Sequence, residues 1–282
     1  MAKLPEQLGT LKLVTQLGLG RQCQIWEAID GATKQRVAVK VVVPEAAQDA
    51  GQRKLLEHEL KVAKSLSHPT VIRIDRLADD GGLPHLVMEL FPHPNLKKQI
   101  AAGADALAPR LQRIVTETAL ALDHLHVRGW IHRDVKPDNI LAAPDGQVDQ
   151  LHLAIAAQKP GLLGKVFGGG RGPVQGSPSY MAPEQIRGQT VDARADIYSL
   201  GCVIFELLAG KPPYAAPNAN DLLNKHVSAP IPAVDAINKN ATTSISKLLR
   251  QMLAKTPGER PAAMQDVLTQ LRTIRFFERA VG

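Results

Sequence analysis

The chain has 282 residues, 44% of them hydrophobic and 22% charged, an ordinary soluble composition that leaves room for one large domain or two lobes with ample core. Its net charge is +7, but no long block of like charges occurs, so the balance reads as solubility and argues against a nucleic-acid surface. Two cysteines, Cys23 and Cys202, give neither metal-ligand spacing nor a disulfide framework, which points to a reducing compartment.

The first residues, MAKLPEQLG, contain no apolar leader. Strands are predicted over 11–17, 24–29 and 36–43. Between the first two lies Leu17-Gly18-Leu19-Gly20-Arg21-Gln22-Cys23-Gln24-Ile25-Trp26, a glycine-rich hairpin able to bring backbone N–H groups close to phosphates. A helix is predicted over 52–66, with Leu56, Leu60 and Ala63 on one face. Glu59 lies on that face, and a carboxylate turned toward a core needs a partner. His85 to Phe91 reads as a buried strand broken by Pro92 and Pro94. A helix follows over 110–128, with Leu111, Ile114, Val115, Thr118, Leu122 and Leu125 in phase and Gly129 as its stop. Next comes HRDVKPDNIL, residues 132–141, with an acid, a base and an amide at Asp134, Lys136 and Asn139. Asp196 opens a nearly all-apolar helix, in whose first turn a negative charge is favoured. Its run Leu200 to Phe205, the longest apolar one, stops at Glu206 and is far too short to span a bilayer. Further helices are predicted over 244–277, and no internal repeat is present.

Several of these segments share one resemblance. HRDVKPDNIL matches the protein-kinase catalytic loop, H-R-D followed by Asn. Gly18, Gly20 and Ile25 match G-x-G-x-x-G-x-V, with Cys23 at the third glycine, and Val37-Ala38-Val39-Lys40 resembles V-A-I-K. Ala182-Pro183-Glu184 reads as A-P-E, and Thr256 to Pro261 resembles the late arginine turn. Over residues 10–275 the chain resembles the eukaryotic-type serine/threonine protein kinases.

The resemblance implies an α+β, protein-kinase-like bilobal fold: a small antiparallel-sheet N-lobe with one main helix over 10–90 and a mainly helical C-lobe over 91–275. Residues 1–9 and 276–282 are terminal extensions. It implies ATP or another nucleotide held by Gly18, Gly20, Ile25, Ala38, Lys40, Met88, Glu89, Phe91 and Leu141, with Lys40 paired to Glu59. Met88 would be gatekeeper to the adenine pocket, or equally plain core. Asp134 would accept the substrate hydroxyl's proton and Lys136 neutralise the transferring group, with Ser177 holding the pair. Asn139 would hold one Mg²⁺ or Mn²⁺, Asp196 the catalytic-loop backbone, and Arg260 would pair with Glu184. The implied location is cytoplasmic, as a protein or as the cytoplasmic domain of a longer one, with no membrane segment in this chain.

Two departures stand out. The metal-binding D-F-G triplet should begin thirteen residues after Asn139, where the chain reads His152-Leu153-Ala154. Mg²⁺ is a hard cation that seeks oxygen, whereas imidazole suits Zn, Cu, Fe or Ni. If the lost ligand is worth ~3–5 kcal/mol, turnover falls by ~10²–10⁴-fold. Recruiting Asp149 instead would require a three-residue deletion. The second departure is the segment from Ala157 to Gly176, which contains no Ser, Thr, Tyr, Asp or Glu. Arg133, which in the family meets a phosphate there, has none to meet. Leu162, Leu163, Val166 and Phe167 read either as a short docking turn or as part of a glycine-rich loop.

The preferred expectation is therefore a nucleotide-binding pseudokinase, a regulatory or scaffolding module whose protein partner the sequence does not name. The alternative is an active, slow kinase using Asp134, Lys136, Asn139 and a single metal site. A small-molecule phosphotransferase is disfavoured by Ala182-Pro183-Glu184 and the Asp196 helix. His152, if protonated, would touch the phosphates directly and make binding metal-independent; the competing reading gives it no role. For Cys23, a passive thiol is preferred over a redox sensor, since no resolving thiol adjoins it.

Overall fold

The computed structural model describes residues 4–20, 22–150, 153, 155–158 and 176–279. His152, Ala154 and the expected docking turn over 162–167 lie outside the described residues. The chain divides into two units, one ending at Pro92 and the other beginning at His93.

The first unit is built on a six-stranded antiparallel sheet. Its strands are β1 (Gln7–Leu8), β2 (Leu11–Leu19), β3 (Cys23–Asp30), β4 (Arg36–Val42), β5 (Ile74–Asp80) and β6 (Leu83–Met88), in the order β1-β2-β3-β4-β6-β5. Strand β4 is buried on both faces, as its valine-rich sequence requires. Val37, Val39 and Val41 join Leu4, Leu8, Leu11, Ala28, Leu83 and Val87 in one core. Alternation turns Ala38, Lys40 and Val42 to the other face.

Helix α1 (Ala50–Lys64) buries Gln52, Leu56, Glu59, Val62 and Ala63. Asp49 caps its start by accepting the Gly51 N–H at 2.8 Å. Its end falls two residues before the predicted Leu66, where the Ser65 hydroxyl donates to the Val62 carbonyl at 2.6 Å. The predicted strand over 85–91 is displaced. Strand β6 starts at Leu83 and ends at Met88, so Glu89 and Phe91 lie beyond the ladder. The Glu89 N–H there donates to the Arg73 carbonyl at 2.9 Å.

The second unit opens with α2 (Leu96–Gly103), a 3₁₀ segment (Ala104–Arg110) and α3 (Leu111–Val127). Short strands follow: β7 (Trp130–Ile131), β8 (Ile140–Ala142), β9 (Val148–Gln150) and β10 (Ala157–Gln158). They pair antiparallel as β7 with β10 and β8 with β9. Helices α4 (Pro183–Ile186), α5 (Arg194–Ala209), α6 (Ala219–Ser228), α7 (Val234–Ile237), α8 (Thr243–Met252) and α9 (Met264–Leu271) complete the order.

Helix α5 is buried from Ala195 to Leu208 and carries the core of this unit. It approaches α8 closely, for a Cβ on Gly201 would lie 3.1 Å from the Met252 Cβ. Gly210, at φ 72°, closes the helix by donating its N–H to the Glu206 carbonyl at 2.8 Å. An antiparallel sheet with one main helix, followed by a helical unit, is the α+β protein-kinase fold expected from the sequence. Among the described residues no helix is long and apolar enough to cross a membrane.

Candidate active site

In the first unit the sheet register gathers the predicted nucleotide residues on one face. Ile25 pairs with Lys40, Glu27 with Ala38, and Ala38 with Met88. Lys40 is buried there, and its Nζ lies 2.6 Å from Glu59 Oε2 of α1. The pair explains why a carboxylate occupies the buried face of that helix. Gly18 sits opposite Ile25 at the end of the β2–β3 hairpin. Gly20 donates its N–H to the Cys23 carbonyl at 2.9 Å, and a Cβ on Gly20 would lie only 3.0 Å from that oxygen. The turn therefore needs glycine at this point for space, not for a left-handed backbone.

Cys23 lies on the same face as Lys40, opposite Val42. Burial pushes its thiol above the usual range; the Lys40 charge opposes this and the Glu59 charge adds to it. Such a thiol is a poor nucleophile, which favours the passive reading. Met88 is buried within the ladder, Glu89 is exposed and Phe91 is half-buried.

In the second unit the catalytic loop hangs from a single carboxylate. Asp196, fully buried in the first turn of α5, accepts the His132 N–H and the Arg133 N–H, each at 2.8 Å. It also lies 2.8 Å from the His126 Nε2. Burial alone would raise the Asp196 pKa, but the hydrogen bond and charge of His126, with help from His132 and the Arg133 N–H, hold it below the ordinary range. Burial keeps the His132 imidazole below its usual pKa despite the nearby Asp196 and Asp134.

Arg133 adopts φ 68°, a left-handed backbone unusual for a side chain of its size. The Gln185 Nε2 donates to its carbonyl at 3.1 Å and Asp196 takes its N–H, so the strained residue is held from both sides.

That backbone presents a compact polar group. Ser177 Oγ donates to Asp134 Oδ1 at 2.9 Å, and Lys136 Nζ donates to Ser177 Oγ at 2.7 Å. Lys136 Nζ also lies 3.0 Å from Asp134 Oδ2. The Asn139 Nδ2 donates to the Asp134 carbonyl at 2.8 Å and to Asp134 Oδ2 at 3.1 Å. Using its nitrogen this way leaves the Asn139 Oδ1 as the oxygen donor for a cation. Leu141 is half-buried on β8, and Leu153 is buried. The arrangement can accept a hydroxyl proton at Asp134 beside an ammonium, the pairing phosphoryl transfer uses.

Arg260 and Glu184 form a bidentate pair, Nη1 to Oε1 at 2.7 Å and Nη2 to Oε2 at 2.8 Å, fully buried. Tyr198 stacks below the guanidinium at 4.9 Å. Three contributors were missed from sequence: His126, Gln185 and the Tyr180–Glu206–Lys97 chain. The last carried a signal, a glutamate inside an otherwise apolar helix.

Residues 11–271 match the family model described as the protein kinase domain. The chain is 32% identical over 270 residues to the serine/threonine-protein kinase PknH of Mycobacterium tuberculosis, covering 94% of this chain and 42% of that protein. It is 32% identical over 257 residues to PknD of the same organism, covering 90% and 38%. With a probable serine/threonine-protein kinase of Clostridium acetobutylicum it shares 28% over 265 residues, covering 94% and 40%. The chain thus spans about two fifths of the length of these relatives. On its fold, its catalytic loop and these matches, the chain belongs to the eukaryotic-type serine/threonine protein kinase family.

Proposed function

We propose that residues 10–275 form one kinase-like domain that binds ATP or another nucleotide and turns it over weakly or not at all. It would act as a pseudokinase, a regulatory or scaffolding module in the cytoplasm or on the cytoplasmic side of a longer protein. The observation that carries this reading is His152 at the place of the D-F-G aspartate, which leaves Asn139 as the one hard metal ligand of the motif set. Gly18, Gly20, Ile25, Ala38, Lys40, Met88, Glu89, Phe91 and Leu141 are assigned to the nucleotide, with Glu59 orienting Lys40. Mg²⁺ or Mn²⁺, when bound at Asn139, would neutralise phosphate charge. His152 is assigned a direct phosphate contact as imidazolium. Calorimetric titration with ATP, with and without chelator at pH 6 and pH 8, tests this. Binding that survives chelator and tightens toward pH 6 is expected, since imidazole titrates near ~6.5. Binding that requires Mg²⁺ and ignores pH contradicts the His152 contact.

A second reading, an active but slow serine/threonine kinase, is favoured by the closed Asp134–Lys136–Asn139–Ser177 arrangement. In it Asp134 takes the hydroxyl proton and Lys136 balances charge on the transferred group.

A further inference from the structure

Helix α6 ends against a proline. The Ala229 N–H donates to the Lys225 carbonyl at 2.9 Å, but residue 230 is Pro230 and has no N–H for the His226 carbonyl. Lys255, which follows α8, supplies that donor from another segment. Its Nζ donates to the His226 carbonyl and to the Tyr214 hydroxyl oxygen, each at 2.8 Å, and lies 4.4 Å from the centre of the Tyr214 ring. The next carbonyl, that of Val227, takes the Arg187 Nη2 at 3.4 Å. Two cations from elsewhere thus finish a helix that its own backbone leaves open.

The Lys255 ammonium is half-buried, and among the described residues no carboxylate pairs with it. Glu184, the buried acid of this region, is held by both terminal nitrogens of Arg260. The groups that do face Lys255 give it no counter-charge. His226, edge-on to Tyr214 at 5.0 Å, is neutral above about pH 4. Arg260 and Arg187 are cations. Burial first, and then these two charges, pull the Lys255 pKa down to about 8. Cys202 opposes them only as a thiolate, and its own burial keeps it protonated. The neutral amine has two N–H groups for its two close acceptors and a lone pair left over.

We propose that Lys255 is an acylation site for acyl phosphates, and that the amide formed there releases the end of α6. The amine lone pair attacks the carbonyl carbon and a C–N bond forms. The bond from that carbon to the phosphate oxygen breaks, inorganic phosphate leaves with the electron pair, and the amine proton goes to water. The product keeps one N–H, carries no charge and brings added bulk to a half-buried place. It cannot serve both the His226 carbonyl and Tyr214, and its attraction to the negative end of α6 is gone.

The test needs neither nucleotide nor phosphoryl transfer, so it stands apart from the reading above. The folded chain is treated with acetyl phosphate, and initial acetylation at each lysine is followed by peptide mass spectrometry. Lys247, exposed on α8, is the internal reference. At about pH 7.5 Lys255 should react at least about fivefold faster than Lys247, because roughly a quarter of it is free amine against about a thousandth of an ordinary lysine. Between about pH 7.5 and 9.5 its rate should rise about fourfold, while that of Lys247 rises about 90-fold. In the urea-unfolded chain the two should react alike. A Lys255 rate no greater than that of Lys247 at the lower pH, or a pH rise as steep, overturns the site. Release is read by hydrogen exchange at the amides from His226 to Ala229, which should quicken at least about fivefold in acetylated wild type and in Lys255→Gln. Acetylated Lys255→Arg, which keeps a cation at this position and is modified only elsewhere, should keep the untreated rate. Exchange that acetylation of wild type leaves unchanged, or quickens equally in Lys255→Arg, overturns the release.

Discussion

Single buried charges decide much of this protein's stability, because each is tolerable only while its partner stays. Lys40→Met leaves Glu59 buried without its ammonium, and unfolding free energy in urea should fall by roughly 3–5 kcal/mol. Adding Glu59→Leu should recover most of that loss, since an apolar pair of similar volume removes the stranded charge. His226 gives a pH signature. It is buried, and burial with the nearby Lys255 charge pulls its pKa down to about 4. The unfolded chain then binds more protons than the folded one between about pH 6.5 and pH 4, so stability falls as pH drops through that window. The loss should be about 3 kcal/mol by pH 4, and His226→Gln should flatten it in urea titrations. Asp196 adds a component of the same sign at lower pH. Its depressed pKa gives stability that is full above the ordinary carboxylate range and vanishes as pH falls through the folded value.

At the scale of elements, α5 holds the catalytic loop through two backbone N–H bonds to one carboxylate. Asp196→Asn turns one of those acceptors into a donor facing an N–H. It should cost roughly 3 kcal/mol, and hydrogen exchange should accelerate first at the His132 and Arg133 amides. Strands β2 to β4 were legible because their β-branched residues and glycine turns agree with the fold. Strand β5 was not, for Ile-Asp-Arg-Leu-Ala-Asp-Asp is acidic, poor in β-formers, and lies at the sheet edge. The apolar run past Met88 suggested a longer β6, but the strand ends at Met88, opposite Ala38 of β4 and Ile74, the first residue of β5. The spacing of Asp134, Lys136 and Asn139 was readable, and the loop brings the three together, because a loop of fixed shape demands fixed residues. Gln185 and His126 were not. Gln185 donates to the Arg133 carbonyl and accepts the Ala182 N–H, and His126 meets Asp196, bonds that no side-chain pattern announces.

For the molecule as a whole, the fold and the family stand on the sheet, the helical unit and the matches across 11–271. The proposed loss of turnover rests on one position in the metal-binding triplet, while Asp134, Lys136 and Asn139 remain hydrogen-bonded together. That combination separates shape from rate: the catalytic-loop group of the second unit is hydrogen-bonded together, and the proposal is that charge neutralisation there is incomplete. The most direct measurement is transfer of radiolabelled γ-phosphate to a protein acceptor by wild type, Asp134→Ala and His152→Asp, with Mg²⁺ or Mn²⁺. Wild-type transfer indistinguishable from Asp134→Ala, and a gain of ~10²-fold or more in His152→Asp, is the predicted result. Robust wild-type transfer that Asp134→Ala abolishes and His152→Asp does not increase would contradict the account.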